Sequence, residues 1–196
     1  MKPNKMYKST KTLWIFCEGG TEWNYFQMLK KVERISRINI KSSTKTDCIN
    51  IVKIADTFRK SSGDFEKGDR VFCVFDRDRN TDKQLTEAKK IASGGGIEII
   101  YSNPSFELWL LLHYSLYKKQ SEGDEIVVQL RKHLPNYKKA DPNIYLKTRK
   151  RIPVAISNAQ IIRRAYRESM GEYVCRKSNP LTLVDKLIEA IRDQKD

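Results

Sequence analysis

Three acidic residues occupy positions from which they could act together. Glu18 directly follows a short β-branched and aromatic run, Thr12 to Cys17, and precedes the pair Gly19-Gly20. Asp76 directly follows a continuous apolar run, Arg70 to Phe75, and Asp78 lies two residues on, pointing to the same side if the chain stays extended. If both runs are parallel strands, their carboxyl ends share one edge of the sheet, where ligands bind in folds of this kind. Should the two strands also be neighbours, three carboxylates meet there. Two carboxylates about 4 Å apart repel by about 1 kcal/mol in water and about 4 kcal/mol at an effective dielectric of 20. Such a cluster is tolerated only with a proton or a cation, and hard oxygen ligands suit Mg²⁺ or Mn²⁺. Mg²⁺ keeps several waters and bridges to phosphates, so the chemistry in view is metal-assisted phosphoryl transfer. Taken singly, each acid has an ordinary alternative. Glu18 reads as a loop residue before a tight glycine turn, and Asp78 as a cap for the next helix.

The elements that must hold these acids alternate along the first half of the chain. After the strand ending at Cys17, Thr21 is the expected N-cap of a helix to about Ser36, with Tyr25, Phe26, Leu29 and Val32 on one face. Ile38 to Ile40 reads as a weak strand, and Thr46 to about Lys60 as a second helix. Arg70 to Phe75 has the unbroken apolar character of a strand buried on both faces. A helix from Thr81 to Ser93, closed by Gly94-Gly95-Gly96, leads into a fourth strand, Ile97 to Tyr101. This order predicts an α/β fold with a parallel sheet flanked by helices. From Asn103 onward the pattern turns helical: Pro104 to Tyr114, Asp124 to Leu134, Pro153 to about Gly171 and Pro180 to Arg192, with no strand expected between them. Each of the three prolines is read as lying in a first helical turn. The chain therefore divides into an α/β core, 1–103, and a helical portion, 104–196, which forms a separate lobe or packs directly on the core.

Composition narrows the partners. Lys and Arg total 38 against 24 Asp and Glu, a formal charge of +14. That excess attracts polyanions, nucleic acid first among them. Cys17, Cys48, Cys73 and Cys175 lie far apart with no metal-finger spacing, which points to a reducing compartment. The apolar run behind the basic N-terminus is too short for a signal peptide, and no stretch is long enough for a membrane span. A cytoplasmic protein is expected.

The segment Arg131 to Arg151 holds Arg131, Lys132, Lys138, Lys139, Lys147, Arg149, Lys150 and Arg151 against Asp141 alone, with Tyr137 and Tyr145 interleaved. Basic side chains neutralise phosphates and aromatic rings stack on bases, so this is the expected nucleic-acid surface, extended by Arg163, Arg164 and Arg167. A solvated loop and helix face is the alternative. Glu107, inside an otherwise apolar stretch, either caps the helix begun at Pro104 or is buried for a purpose, and Ser105 is expected near the acidic edge. His113 reads as a structural histidine, having no nucleophile beside it in sequence. Gly19-Gly20 is no phosphate-binding P-loop, so an ATPase within this chain is not expected.

Four segments together resemble the RloB-like family: FCEGGTEWNYF at Phe16–Phe26, VFDRD at Val74–Asp78, SNPSFELWLLLHY at Ser102–Tyr114, and Asn179-Pro180-Leu181-Thr182. They span nearly the whole chain in a fixed order. The resemblance implies a Toprim domain of bacterial and archaeal defence or abortive-infection settings. In it Glu18 is the Toprim glutamate, Asp76 and Asp78 form the metal-binding pair, and Glu22 and Glu107 are further site acids. One departure stands out: members often read C-E-G-E-x-T-E-P, whereas this chain has Cys17-Glu18-Gly19-Gly20-Thr21-Glu22-Trp23, one residue shorter and without the acid after the first glycine.

Two functions of different class follow. In the first, the protein is a Mg²⁺- or Mn²⁺-dependent nuclease: the carboxylates hold the metal, Glu18 is a ligand or general base, and Lys138, Lys139 or a nearby arginine neutralises charge on the phosphate. In the second, it is a non-catalytic Toprim module that binds nucleic acid or a partner protein. Intact Glu18, Asp76 and Asp78 favour the first. A primase or topoisomerase needs more chain than this, and a haloacid-dehalogenase-type phosphatase would carry its Asp-x-Asp after the first strand. A defence nuclease must also be held inactive, which implies a regulatory partner such as an ATPase; no segment identifies one.

Overall fold

The computed structural model describes residues 11–43, 47–77, 80–170 and 177–194. Four parallel strands, β1 (Leu13–Cys17), β2 (Ile38–Ser42), β3 (Arg70–Asp76) and β4 (Ile97–Asn103), are joined by three helices, α1 (Gly20–Glu33), α2 (Cys48–Ser61) and α3 (Asp82–Gly95). The strand order is β2-β1-β3-β4-β5, the last strand, β5, being the short Leu181–Thr182. β1 and β3 therefore lie side by side in the middle, with Cys17 opposite Val74. Their placement follows from composition. Every residue of β1 is buried, as are Val71 to Phe75 of β3, and only a strand covered on both faces can use such a run. β2, whose middle residues are half-buried, takes the edge.

The helices are set by local chemistry. Asp47 caps α2 by accepting from the Asn50 N–H at 2.9 Å. Thr81 and Gln84 form a reciprocal capping box at the start of α3, and Gly96, at φ +62°, ends it in the left-handed conformation that glycine adopts without a Cβ penalty. α1 differs from the expected start: Gly19 is its N-cap, and the Thr21 hydroxyl accepts instead from the Ala140 N–H at 3.0 Å.

The C-terminal half builds on this sheet. α4 (Glu107–Leu112) is buried at every position, an apolar helix enclosed by α5 (Gly123–Arg131) and α7 (Ile152–Met170). Between them run α6 (Ile144–Thr148) and a 3₁₀ turn, Arg149–Arg151. One hydrophobic cluster extends from Leu13 to Ile191 through both halves. Contrary to the sequence expectation, a strand does lie here. β5 (Leu181–Thr182) pairs antiparallel with the end of β4, and Ser102 and Thr182 share a hydroxyl contact of 2.8 Å. Pro104 and Pro180 are not in first helical turns. Both follow cis peptide bonds, α4 begins only at Glu107, and α8 (Val184–Arg192) follows β5. Pro153 does occupy the first turn of α7.

Buried polar groups are tied by specific partners. Arg163 of α7 reaches Asp185 of α8 with distances of 2.7 and 2.6 Å to its two carboxylate oxygens, and Asp185 is 0 % exposed. His113 is buried with Nδ1 2.9 Å from the Trp109 carbonyl oxygen, and burial depresses its pKa to about 4, so it is a neutral structural histidine. Cys17, Cys48 and Cys73 are buried free thiols; Cys175 lies outside the described residues. No described helix is long and apolar enough to cross a membrane.

Candidate functional site

The pairing of β1 with β3 runs one residue past β1, because the Glu18 N–H donates to the Val74 carbonyl at 3.0 Å. Glu18 is thereby carried beside Asp76, whose own N–H faces Glu18 Oε2 at 3.3 Å. The chain then turns directly into α1, and Glu22 falls in its first turn. A Cβ on Gly19 would collide with Glu22 Oε2, so glycine at this position is what lets the Glu22 carboxylate lie against the turn. Glu107 comes from a third direction, the first turn of α4. Glu18, Glu22, Asp76 and Glu107 all line one cavity of about 210 Å³, together with Gly19, Gly20, Thr21, Phe106, Lys139 and Ala140. Glu18 and Asp76 are half-buried, whereas Glu22 and Glu107 are 3 % and 2 % exposed. Asp78 lies outside the described residues, and among the described residues no three His, Cys, Asp or Glu side chains stand together as a ready metal cluster.

Crowding shows in the acid chemistry. Burial pushes the Glu22 pKa up to about 8; its own backbone N–H pulls it down, Glu107 and Glu18 push it up further, and Lys139 offsets part of this. The group is therefore mostly protonated at neutral pH. Because its folded pKa lies above the unfolded value, its contribution to stability is full below about pH 4.5 and is lost as pH rises through about 8. Glu22→Gln, which keeps the shape without the ionisation, should make the metal-free protein more stable than wild type at pH 9 by on the order of a few kcal/mol, and little different at pH 5. Thermal melts at the two pH values check this; an equal difference at both would remove Glu22 from the titrating cluster.

The wall opposite the strands comes from the segment between α5 and α6. Tyr137 is 2 % exposed and its hydroxyl donates to Glu107 Oε1 at 2.7 Å. Burial, then Glu107, hold that hydroxyl far above its ordinary pKa, so it remains a donor. Asn24 of α1 donates to the Ala140 carbonyl at 2.6 Å, matching the Ala140 N–H bond to Thr21. Tyr145 likewise is buried and donates to Glu33 at 2.7 Å. The two tyrosines expected as stacking platforms thus face inward, because each hydroxyl has an acid to satisfy.

The basic residues have different surroundings. Lys139 lines the carboxylate cavity, with exposed Lys138 beside it. Arg149 lines a different recess, of about 160 Å³, with Leu29 and Glu33 near the other end of α1. Lys150 is exposed, and the Arg151 guanidinium lies over the Tyr114 ring at 5.2 Å. Arg164 is exposed on α7. Arg163, read from sequence as a phosphate contact, is spent on the buried Asp185. Ser105 is buried toward Gly123 rather than lining the cavity.

A family model described as RloB-like protein matches residues 13–191. The chain belongs to the RloB-like family. Comparison with curated proteins and with solved structures returned no match. The matched stretch of this RloB-like protein begins at the first residue of β1 and ends within α8, so it contains the cavity, all four of its carboxylates and the Lys139 segment. Carboxylate oxygens are the hard donors that Mg²⁺ or Mn²⁺ takes, and burial more than the neighbouring acids keeps Glu22 protonated here.

Proposed function

We propose that this RloB-like protein is a metal-dependent nuclease of Toprim type that cleaves nucleic-acid phosphodiesters in antiviral defence or abortive infection, within the cytoplasm and under a regulatory partner. The observation that carries the reading is that Glu18 of the β1–α1 turn, Glu22 of α1, Asp76 of β3 and Glu107 of α4 all line one cavity at the carboxyl edge of a parallel sheet. Glu18 and Asp76, half-buried at adjacent strand ends, would hold Mg²⁺ or Mn²⁺ with Asp78, and Glu22 and Glu107 would complete the acidic lining. A divalent ion bound there supplies a Lewis acid for the phosphoryl oxygen and a more acidic water. The protein's part is to orient and to move protons. The Asp76 N–H fixes Glu18 at the cavity, as ligand or general base. Tyr137 fixes Glu107 by donating to its carboxylate.

The test is incubation of purified protein with labelled single- and double-stranded DNA and RNA in Mg²⁺, Mn²⁺ or chelator. Metal-dependent cutting of one of them is expected. The second reading, a non-catalytic module that binds nucleic acid or a partner protein, draws on the way Glu22 folds back against Gly19 and its own backbone N–H instead of reaching outward. Binding without cutting of any substrate would put it in the nuclease's place.

A further inference from the structure

We propose that Lys139 is the phosphate-binding cation of this site, delivered by the segment from Tyr137 to Asp141, and that Tyr137 is the positioning residue that holds this segment on the carboxylates. The inference rests on the nuclease reading for its reaction, but its binding step stands alone.

The argument begins with charge. A phosphodiester carries a negative charge and must approach four carboxylates. Lys139 is the only cationic side chain among the described residues lining that cavity. Its ammonium also acts on Glu22, where it opposes burial and the neighbouring carboxylates to a small extent. Neighbouring Lys138 is not among the lining residues.

The backbone around Lys139 is held to an unusual degree for a loop. On one side Tyr137 is buried, its hydroxyl on Glu107 at 2.7 Å and its carbonyl accepting from Arg131 Nε at 3.3 Å. On the other, Ala140 is gripped at both its N–H and its carbonyl, by Thr21 and Asn24. Ala140 has φ +57°, a left-handed conformation that costs a non-glycine residue energy and persists only where surroundings impose it. Its methyl group lies so close to Gly20 that a Cβ there would be 3.2 Å away. Asp141 is anchored by Lys147 Nζ at 2.6 Å and by the Asn143 N–H at 2.9 Å. A solvated lysine needs none of this. A lysine that must meet a phosphate over metal-binding acids needs its Cα fixed, because positioning is what electrostatic stabilisation of a transferring phosphoryl group depends on.

Equilibrium binding of pyrophosphate in Mg²⁺, by calorimetry, tests the proposal without requiring any cleavage. Wild type should bind, Lys139→Ala should weaken binding at least roughly tenfold, and Lys139→Arg should recover part of the loss. Lys90→Ala, an equal change of charge at an exposed site on α3, should bind as wild type does. Tyr137→Phe, which keeps the buried ring, should weaken binding less than Lys139→Ala and show a smaller penalty still for a further Lys139→Ala change. Unaltered affinity in Lys139→Ala, an equal loss in Lys90→Ala, or no binding by wild type would each overturn the assignment. If wild type binds pyrophosphate through Lys139 yet cuts no nucleic acid, the phosphate site stands and the nuclease reading falls.

Discussion

On the proposed nuclease reading, Asp76→Asn is expected to lower metal-dependent cleavage by roughly a thousandfold or more while leaving the fold intact. The size follows from chemistry: a metal at a phosphoryl centre is worth several kcal/mol of transition-state stabilisation, and each 1.36 kcal/mol is about a factor of ten in rate. An amide has the shape of the carboxylate without its charge. The backbone bonds that position residue 76 do not involve the side chain: its N–H faces Glu18 and its carbonyl accepts from Asn80 Nδ2 at 2.7 Å. Glu18→Gln is expected to behave in the same way. Cleavage rates and thermal melts on the same preparations check both halves of the claim. Full activity in either variant would sink the assignment of the metal site, and a melting temperature many degrees lower would mean that the residue acts on the fold.

Arg163→Met removes about 3–5 kcal/mol of stability, the usual cost of stripping one partner from a buried ion pair. Asp185 is wholly enclosed, and burial pushes its pKa up against the pull of Arg163, whose single nitrogen Nη1 donates to both carboxylate oxygens. For a chain of this length the loss corresponds to a drop in melting temperature of about 10 °C. Replacing both partners by apolar residues, Arg163→Met with Asp185→Leu, should return much of it, because no uncompensated charge then remains inside. The alternative role makes the opposite forecast: were Arg163 a phosphate contact, the single variant would melt normally and the salt dependence of nucleic-acid binding would flatten. Melting curves and binding measured at several salt concentrations separate the two.

Arg163 also marks where sequence reading stops. A helix-borne arginine on a basic chain looks the same whether it faces solvent or a buried aspartate 22 residues on. Tyr137 was opaque for the same reason: its partner is 30 residues earlier, and an aromatic between lysines suggests stacking before it suggests a hydroxyl donated inward. β5 escaped because two residues are too few for any periodicity, and because Pro180 suggested a helix start. What could be read were features written in consecutive residues. The unbroken apolar runs marked β1 and β3 as interior strands, and an acid directly after each placed Glu18 and Asp76 at one edge as soon as those strands proved adjacent. Glu22 and Glu107 came through family resemblance, since nothing in their local pattern distinguishes a buried acid from a helix cap. The cavity they line is a product of the fold.

That cavity has a wall made of residues 139–140 and a floor made of residues 18–22, 76 and 106–107, with hydrogen bonds spanning as many as 119 residues between them. A chain leaving the ribosome in order therefore exposes every one of the described acids well before the segment that encloses them exists. Until that segment docks, Glu107 lacks its tyrosine and Lys139 has no fixed address. The enclosed carboxylate cavity therefore comes into being only after residues 137–140 have been made and docked.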